Sequence, residues 1–441
     1  MGMLSNGLSG LIASQASLNV VSQNVANANV KGYSRQEAVQ GTRTGNSNNG
    51  LEAGQGVQVN DIRRVTDDYL NNNLWRATSS MGRNETFSDY LVQAEQLFGN
   101  DNLSVSTGLD GFYDALNFAS ESPQSIAPRQ QVVASAEALA RRFNSLAANL
   151  DTQRTQIIEQ ADASIAQVNT LAAEIGTLNQ KIVEAQAQGG NASALEDKRD
   201  ETLKEISELI EVRVARQSDG SMDISLTGGQ PLVLGNSAAT LVRTGSDFSL
   251  QFATQSFPFS GDVGGKIGGL LAYRDDVLDT VDAELNTIAQ TLADDFNNQL
   301  ALGEDLNNNP GGAVFAYDPL DPAGSLSVAA GFQAEDLAFG APGTGGGDNS
   351  NLLSMIDLKD GHYDAYTGLV GDMAIQSAQA QAEYSASVSI ANEALAKRDS
   401  VSGVNLDEEA MNMMTFMQAY QANAKVISGA DQLFNTLMGM F

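Results

Sequence analysis

The sequence predicts a mainly α protein with a β insertion: terminal coiled-coil-like helices, a long-helix bundle and a small antiparallel β domain. Three observations carry that expectation. The eight prolines leave long gaps, since none precedes Pro123, none falls between Pro128 and Pro231, and none follows Pro342. Proline is what a helix interior excludes, and each gap carries apolar residues at the three-four spacing of one helical face. Only between Val212 and Pro258 do short alternating runs take over, separated by Gly-, Ser- and Asn-bearing turns.

Taken in order, residues 1–60 are expected to form the N-terminal half of a domain that the two ends of the chain share. Leu4, Leu8, Leu11, Leu18 and Val25 make one helical stripe, with Gln15 and Ser22 as polar steps. Gly41 to Gly56 then reads as a loop. Residues 61–211 begin the helix bundle with a helix from Arg63 to Phe98. Two long helices follow, or one broken near Asp151 to Gln156, with Phe143, Ile165, Val168, Ile175 and Ile182 on the periodic face. Gly189-Gly190 ends that run, and Ser193 with Glu196 reads as a capping box for the next helix.

Residues 212–264 are the β insertion, with Met222–Leu226 and Phe248–Phe252 among its strands. Residues 265–305 return to the bundle. The segment 306–350, which holds four of the eight prolines, is expected to be a loop or strand piece joining the inserted domain. Residues 351–400 complete the bundle, and residues 401–441 form the last helix. Asn405 is a suitable N-cap there, and Asp407, Glu408 and Glu409 suit the positive end of the helix dipole. The stripe that follows includes Met413, Met417, Tyr420, Ile427, Phe434 and Phe441, a face built to pack against another chain or the opposite terminus. With no cover for it in the free chain, Ile427→Asp is expected to leave the melting temperature nearly unchanged.

Composition narrows the function. With 54 Asp and Glu against 24 Lys and Arg, the net charge is −30, which argues against nucleic acid and against an anionic membrane as partners. Met1 to Val30 has no charged residue, and so long a neutral stretch in an acidic protein is expected to be covered by a partner. Without cysteine there is no disulfide, thiolate metal site or thiol nucleophile. No apolar run reaches the length of a membrane helix, and no Lys or Arg precedes an apolar block in the manner of a cleaved signal.

The catalytic inventory is thin, and the expectation is a protein that is not an enzyme and holds no cofactor or metal. His362 is the only histidine and is expected in a loop or at the surface. Asp305 to Asn309 opens like a calcium loop, but Pro310 replaces its glycine and Ala316 its closing glutamate. Gly264-Gly-Lys266 lacks the Ser or Thr of a phosphate loop. The acid pairs Asp294-Asp295 and Glu408-Glu409 read as solvated helix faces.

Four local sequences add a resemblance. These are Ser22-Gln-Asn-Val-Ala-Asn-Ala-Asn-Val-Lys-Gly-Tyr-Ser-Arg-Gln36, Ser402-Gly-Val-Asn-Leu-Asp-Glu-Glu409 with Tyr420-Gln-Ala-Asn-Ala-Lys-Val-Ile427, Gly264 to Asp275, and Leu292 to Leu300. Together with stripes at both ends, they resemble the axial family of the bacterial flagellum, the rod, hook and hook-associated proteins. The Lys31-Gly-Tyr-Ser-Arg-Gln36 ending is most similar to the hook-associated members. The resemblance carries a family motif onto Asn24, Asn27, Gly32, Tyr33, Ser34, Arg35 and Gln36, and onto Ser402, Gly403, Val404, Asn405 and Leu406. It implies a structural component that forms a ring on the distal end of the hook and adapts hook to filament. The implied partners are other copies of the chain, the hook protein, a second junction protein and a cytoplasmic export chaperone on the last helix. The implied location is the extracellular flagellum, reached without a cleaved signal peptide. Hook protein, the second junction protein and flagellin are alternatives within the family, and a secreted enzyme or adhesin using flagellar export is one outside it.

Overall fold

The structure is a computed structural model and describes residues 2–43, 55–244, 247–259 and 263–440. Its elements in order are α1 (Gly2–Asn27), β1 (Gln36–Thr42), β2 (Val57–Arg64), α2 (Asp68–Phe98), α3 (Val105–Glu121), α4 (Ile126–Ala187) and α5 (Ser193–Leu209). Seven strands follow: β3 (Val212–Arg216), β4 (Met222–Leu226), β5 (Pro231–Leu234), β6 (Ser237–Ala238), β7 (Thr240–Thr244), β8 (Asp247–Phe252) and β9 (Gln255–Phe259). Helix returns as α6 (Gly265–Ala272), a π-helical turn (Tyr273–Leu278) and α7 (Asp279–Ala301). The rest is β10 (Phe315–Ala316), α8 (Pro322–Ser325), β11 (Ser327–Val328), α9 (Ser350–Ile356), α10 (Lys359–Ser402) and α11 (Leu406–Met438). The class is mainly α with small antiparallel sheets, as the sequence predicts.

The chain divides into two compact units, residues 1–81, 165–265 and 387–441 in the first and residues 82–164 and 266–386 in the second. In the first unit β1 and β2 pair antiparallel from Gln36–Arg64 to Thr42–Val57, with a bulge at Val39/Gln40. Gly41, expected in a loop, lies in β1; residues 44–54 of that expected loop lie outside the described residues. The inserted strands form two antiparallel sheets, β3-β4-β5-β6 and β7-β8-β9. In β4 the alternation is complete: Met222, Ile224 and Leu226 are buried and the residues between them are not, the period of a half-buried strand.

Asparagines of α4 clamp these sheets. Asn169 accepts from Leu241 N at 2.7 Å and donates to Leu241 O at 2.9 Å. Asn179 accepts from Met222 N at 3.1 Å and donates to Met222 O at 2.8 Å. Each side chain thereby satisfies a strand's donor and acceptor at once, so backbone that lacks a neighbouring strand is not left unpaired. Helix α4 itself is unbroken. Asp151 to Gln156 are polar but include no Gly or Pro, and Arg154 pairs there with Asp151 at 3.1 Å and with Asp279 at 2.8 Å. The capping box expected at Ser193 and Glu196 also does not form. Ser193 N donates instead to Asn191 Oδ1 at 2.7 Å, and Glu196 accepts from Arg64.

The second unit is built on aromatic packing. Phe112 meets Phe296 edge-on at 4.9 Å between ring centroids and Phe315 at 6.0 Å. Segment 306–350 belongs to this unit and not to the inserted β domain, contrary to expectation. Helix side chains hold its backbone: Asn297 brackets Phe315 N and O at 3.0 and 2.9 Å, Asn351 donates to Ala338 O at 2.7 Å, and Arg129 donates to Leu337 O at 2.5 Å. The Arg129 guanidinium lies 4.3 Å from the centre of the Phe339 ring, and burial brings its pKa down to about 10.

Candidate assembly site

Helix α1 carries no charge, yet its buried face is not the leucine stripe. The buried positions are Gly7, Ser9, Ala13, Ser14, Ser17, Val20, Val21 and Asn24. Small residues let backbones approach closely, and α11 and the β1–β2 hairpin both pack on this helix. A Cβ on Gly7 would stand 2.9 Å from Ile427 Cγ1, and one on Gly10 would stand 2.5 Å from Asn423 Oδ1. Against the hairpin, Ser9 Oγ accepts from Val57 N at 3.2 Å and Ser17 Oγ accepts from Gln40 Nε2 at 2.9 Å. Contacts run from Gly7–Ile427 to Asn24–Glu409, so α1 and α11 are antiparallel.

The expected interface residues divide accordingly. Leu11, Leu18, Met413 and Ile427 are half-buried, while Leu4, Leu8, Val25, Met417, Tyr420 and Phe434 are exposed. Phe441 lies outside the described residues. The contact with Gly7 changes the expectation for Ile427→Asp, because the new carboxylate would sit in the seam between the two helices and loosen it.

The seam closes in a polar knot built from both motif segments. Asn24 is 1% exposed. Its Oδ1 accepts from Gln36 N and Tyr33 Oη, both at 2.9 Å. Its Nδ2 donates to Gln36 O at 2.9 Å and to Glu409 Oε2 at 3.1 Å. Glu409, expected on a solvated face, is thus buried. Gly32 turns the chain at φ +81°, a conformation that glycine adopts at least cost. Arg35 N donates to Ser402 O at 2.8 Å, and its guanidinium reaches Glu408 at 3.5 Å and Glu409 at 3.8 Å. Gly403 is required sterically, since a Cβ there would meet Asp399 O at 2.4 Å. Asn405 caps α11, accepting from Asp407 N at 3.0 Å and Glu408 N at 3.4 Å. Val404 is half-buried, Leu406 is exposed, and the Asn27 side chain donates back to Gln23 O on its own helix. Burial, with Asp197 and Glu409 nearby, pushes the Tyr33 hydroxyl up to about 12, so it stays a proton donor.

A second layer, missed in the sequence, anchors the knot to α5. Arg64, at the end of β2, makes 2.8 Å ion pairs with Glu196, Asp197 and Asp200. Burial opposes its charge, but the three carboxylates outweigh that and raise its pKa; burial also raises the pKa of Asp200. Ser34 N donates to Asp197 at 3.2 Å, and Arg398 donates to Ser34 Oγ at 3.3 Å and Gly32 O at 3.4 Å. Acidic residues at i, i+1 and i+4 of one helix were the available signal, but nothing in the sequence names their basic partner.

Elsewhere, His362 is not at the surface: it is 4% exposed in α10. Tyr113 Oη lies 2.8 Å from its Nδ1 and Asp295 Oδ2 lies 3.2 Å from its Nε2. The row of carboxylate, imidazole and hydroxyl has the order of a nucleophilic triad, but Tyr113 is fully buried and burial first of all raises its pKa, so its oxygen is packed away from any substrate. Asp305 is occupied by Asn307 N and Asn309 N, both at 2.7 Å. Gly264 and Gly265 take φ +62° and +59° against Glu211 and the Leu209–Ile210 backbone, a packing turn. Among the described residues no cluster of three His, Asp or Glu could hold a metal ion, and no helix is long and apolar enough to cross a membrane.

Comparison with known proteins meets this geometry at the same segments. Residues 4–33 match the flagella basal body rod protein family and residues 397–440 the C-terminal family of the flagellar basal body rod FlgEFG proteins. Flagellar hook-associated protein 1 of Salmonella typhimurium and that of Escherichia coli K12 are each 25% identical to this chain, over 99% of both lengths. That of Bacillus subtilis is 24% identical over 97% of this chain and 96% of its own. The Salmonella alignment extends over 549 positions against 441 residues here, so that relative carries insertions this chain lacks. The solved flagellar hook junction protein FlgK of Burkholderia pseudomallei superposes with a TM-score of 0.52 at 27% identity, over 56% of this chain and 47% of that one. Residues 91–315, just over half of the sequence, match the helical domain of flagellar hook-associated protein FlgK, and the chain belongs to that hook-associated family.

Proposed function

We propose that this chain is a structural subunit of the flagellum that assembles as a ring on the distal end of the hook and adapts hook to filament. The observation that carries this reading is that the paired terminal helices close a seam of small residues and still leave apolar side chains exposed. Small residues close the seam, while Leu4, Leu8 and Val25 on α1 and Met417, Tyr420 and Phe434 on α11 stay exposed. Apolar side chains grouped along paired helices mark an interaction surface. We assign them to contacts with other copies, with the hook protein and with the second junction protein. Before export, the exposed apolar residues of α11 serve a cytoplasmic chaperone, a helix-in-groove contact. The chain then leaves through the flagellum's own channel and remains outside the cell.

Phe434→Asp tests this directly, because Phe434 is 61% exposed. An exposed substitution away from packing changes stability by less than about 0.5 kcal/mol, so the monomer should melt as before. Cells carrying it should make hooks, fail to retain filaments and shed flagellin into the medium, with secretion of the variant assayed separately. Normal swimming would remove the assembly role from this face. A much lower melting temperature would place Phe434 in the monomer's own packing.

A further inference from the structure

Two features of the surface are unused by the terminal helices. The first is a groove of 360 Å³ in the first unit, between α2 and α10, floored by Leu70, Ala77 and Ala394 with Ile390 at its edge. Arg76 and Lys397 also line it. Lys397 is paired with Glu393 at 2.6 Å, whereas Arg76 has no ion pair among the described residues. In a chain with 54 acidic and 24 basic residues, an apolar groove with a net positive rim is out of character with the remaining surface.

The second feature, in the second unit, is the turn Asp318-Pro-Leu-Asp321. Leu320 at its tip is 93% exposed, the highest value among the exposed large apolar residues described. The turn is fixed from within: Leu320 N donates to Asp318 Oδ1 at 2.9 Å, Asp321 N to Asp318 O at 3.0 Å, and Asp318 N to Ser325 Oγ at 2.7 Å. Pro319 and Pro322 restrict the backbone further. A leucine displayed on a rigid turn loses little entropy on docking, and carboxylates flank it on both sides.

We propose that the α2–α10 groove receives the Leu320 turn of a second copy, with Arg76 facing its carboxylates. The contact is heterologous, groove to turn, the kind that closes rings, and it rests on the reading that copies assemble side by side. One leucine is too small a contact to pair free monomers, so the interaction forms where copies are already held together and repeats from subunit to subunit.

The absence of cysteine from the sequence makes the test clean. A chain carrying both Leu320→Cys and Ile390→Cys is expressed in cells, hook–filament assemblies are isolated, and a short bis-maleimide is added. The expected result is a ladder of covalent multimers from the double variant and none from either single variant. Arg76→Glu added to the double variant should lower the yield several-fold. If the double variant is present in the assemblies at wild-type level and yields no multimers, the groove assignment is overturned while the junction role stands. If the wild-type chain is missing from the assemblies, the junction role fails and this proposal with it. Dimers from Leu320→Cys alone would show the turn meeting itself, and an unchanged yield with Arg76→Glu would overturn the charge match that selects the occupant.

Discussion

Replacing Asn24 by alanine should undock the first helix without unfolding the rest of the chain. The side chain makes four hydrogen bonds, two buried ones to the Gln36 backbone, a buried one to the Glu409 carboxylate and a part-buried one to Tyr33. A neutral hydrogen bond contributes about 1 kcal/mol and one to a charged group about 2 kcal/mol, and a buried partner left unpaired adds its own desolvation cost. Entry of water into the vacated space recovers part of this, which leaves about 3–4 kcal/mol. At 1.36 kcal/mol per decade, the opening equilibrium of α1 moves by roughly 100- to 1000-fold. Hydrogen exchange on the monomer reads this locally: α1 amides should lose protection by that factor while amides of the second unit keep theirs. Asn24→Asp should be worse at neutral pH, because it sets a second carboxylate beside Glu409. Like charge raises the folded pKa of such a pair, so docking is retained below the unfolded carboxylate range and lost as pH rises through the raised value. If α1 keeps wild-type protection in Asn24→Ala, the knot does not hold the helix and the reasoning fails.

Burial lowers the His362 pKa from 6.5, more than Asp295 raises it. The unfolded chain therefore takes up this proton first as pH falls, and the contribution of His362 is present above about pH 6.5 and lost on acidification. The melting temperature of His362→Gln should fall less steeply below that pH than the wild type's; parallel curves would show that His362 does not set the slope. Gly265 has φ +59° and leaves only 2.4 Å between a new Cβ and Leu209 C, so Gly265→Ala should cost about 2–4 kcal/mol. Gly111, inside α3 with open space around it, supplies the opposite sign: Gly111→Ala should stabilise by about 0.5–1 kcal/mol. Chemical denaturation of the two variants decides the pair.

Local chemistry was legible from sequence where one residue suffices to dictate it. Asn405 caps α11 and Gly32 turns the chain, each for reasons contained within a few neighbours. Faces were harder. A stripe of leucines marks an apolar row, but α1 buries Gly7, Ala13 and Ser17 because close backbone approach needs small side chains, and spacing alone does not reveal that the partner comes so near. Asn24 belonged to the recognised motif, yet its role needs Glu409, far away along the chain. His362 and Glu409 were placed at the surface for the same reason: their partners Tyr113, Asp295 and Asn24 come from other elements. The expected break in α4 failed because polar residues weaken a helix without ending it.

The pairing of Asn24 with Glu409 spans 385 residues, and this has a consequence for biosynthesis. At roughly 5–20 residues per second, α1 emerges from the ribosome on the order of 20–80 s before the carboxylate that completes its polar knot exists. Through that interval its small-residue face has the hairpin but not α11 to cover it. A message truncated upstream of Leu406 yields a chain that keeps the bundle sequence and never closes this seam. Closure of the first helix onto the last therefore reports that translation has passed residue 409, and only such a chain presents both exposed apolar rows on one paired support.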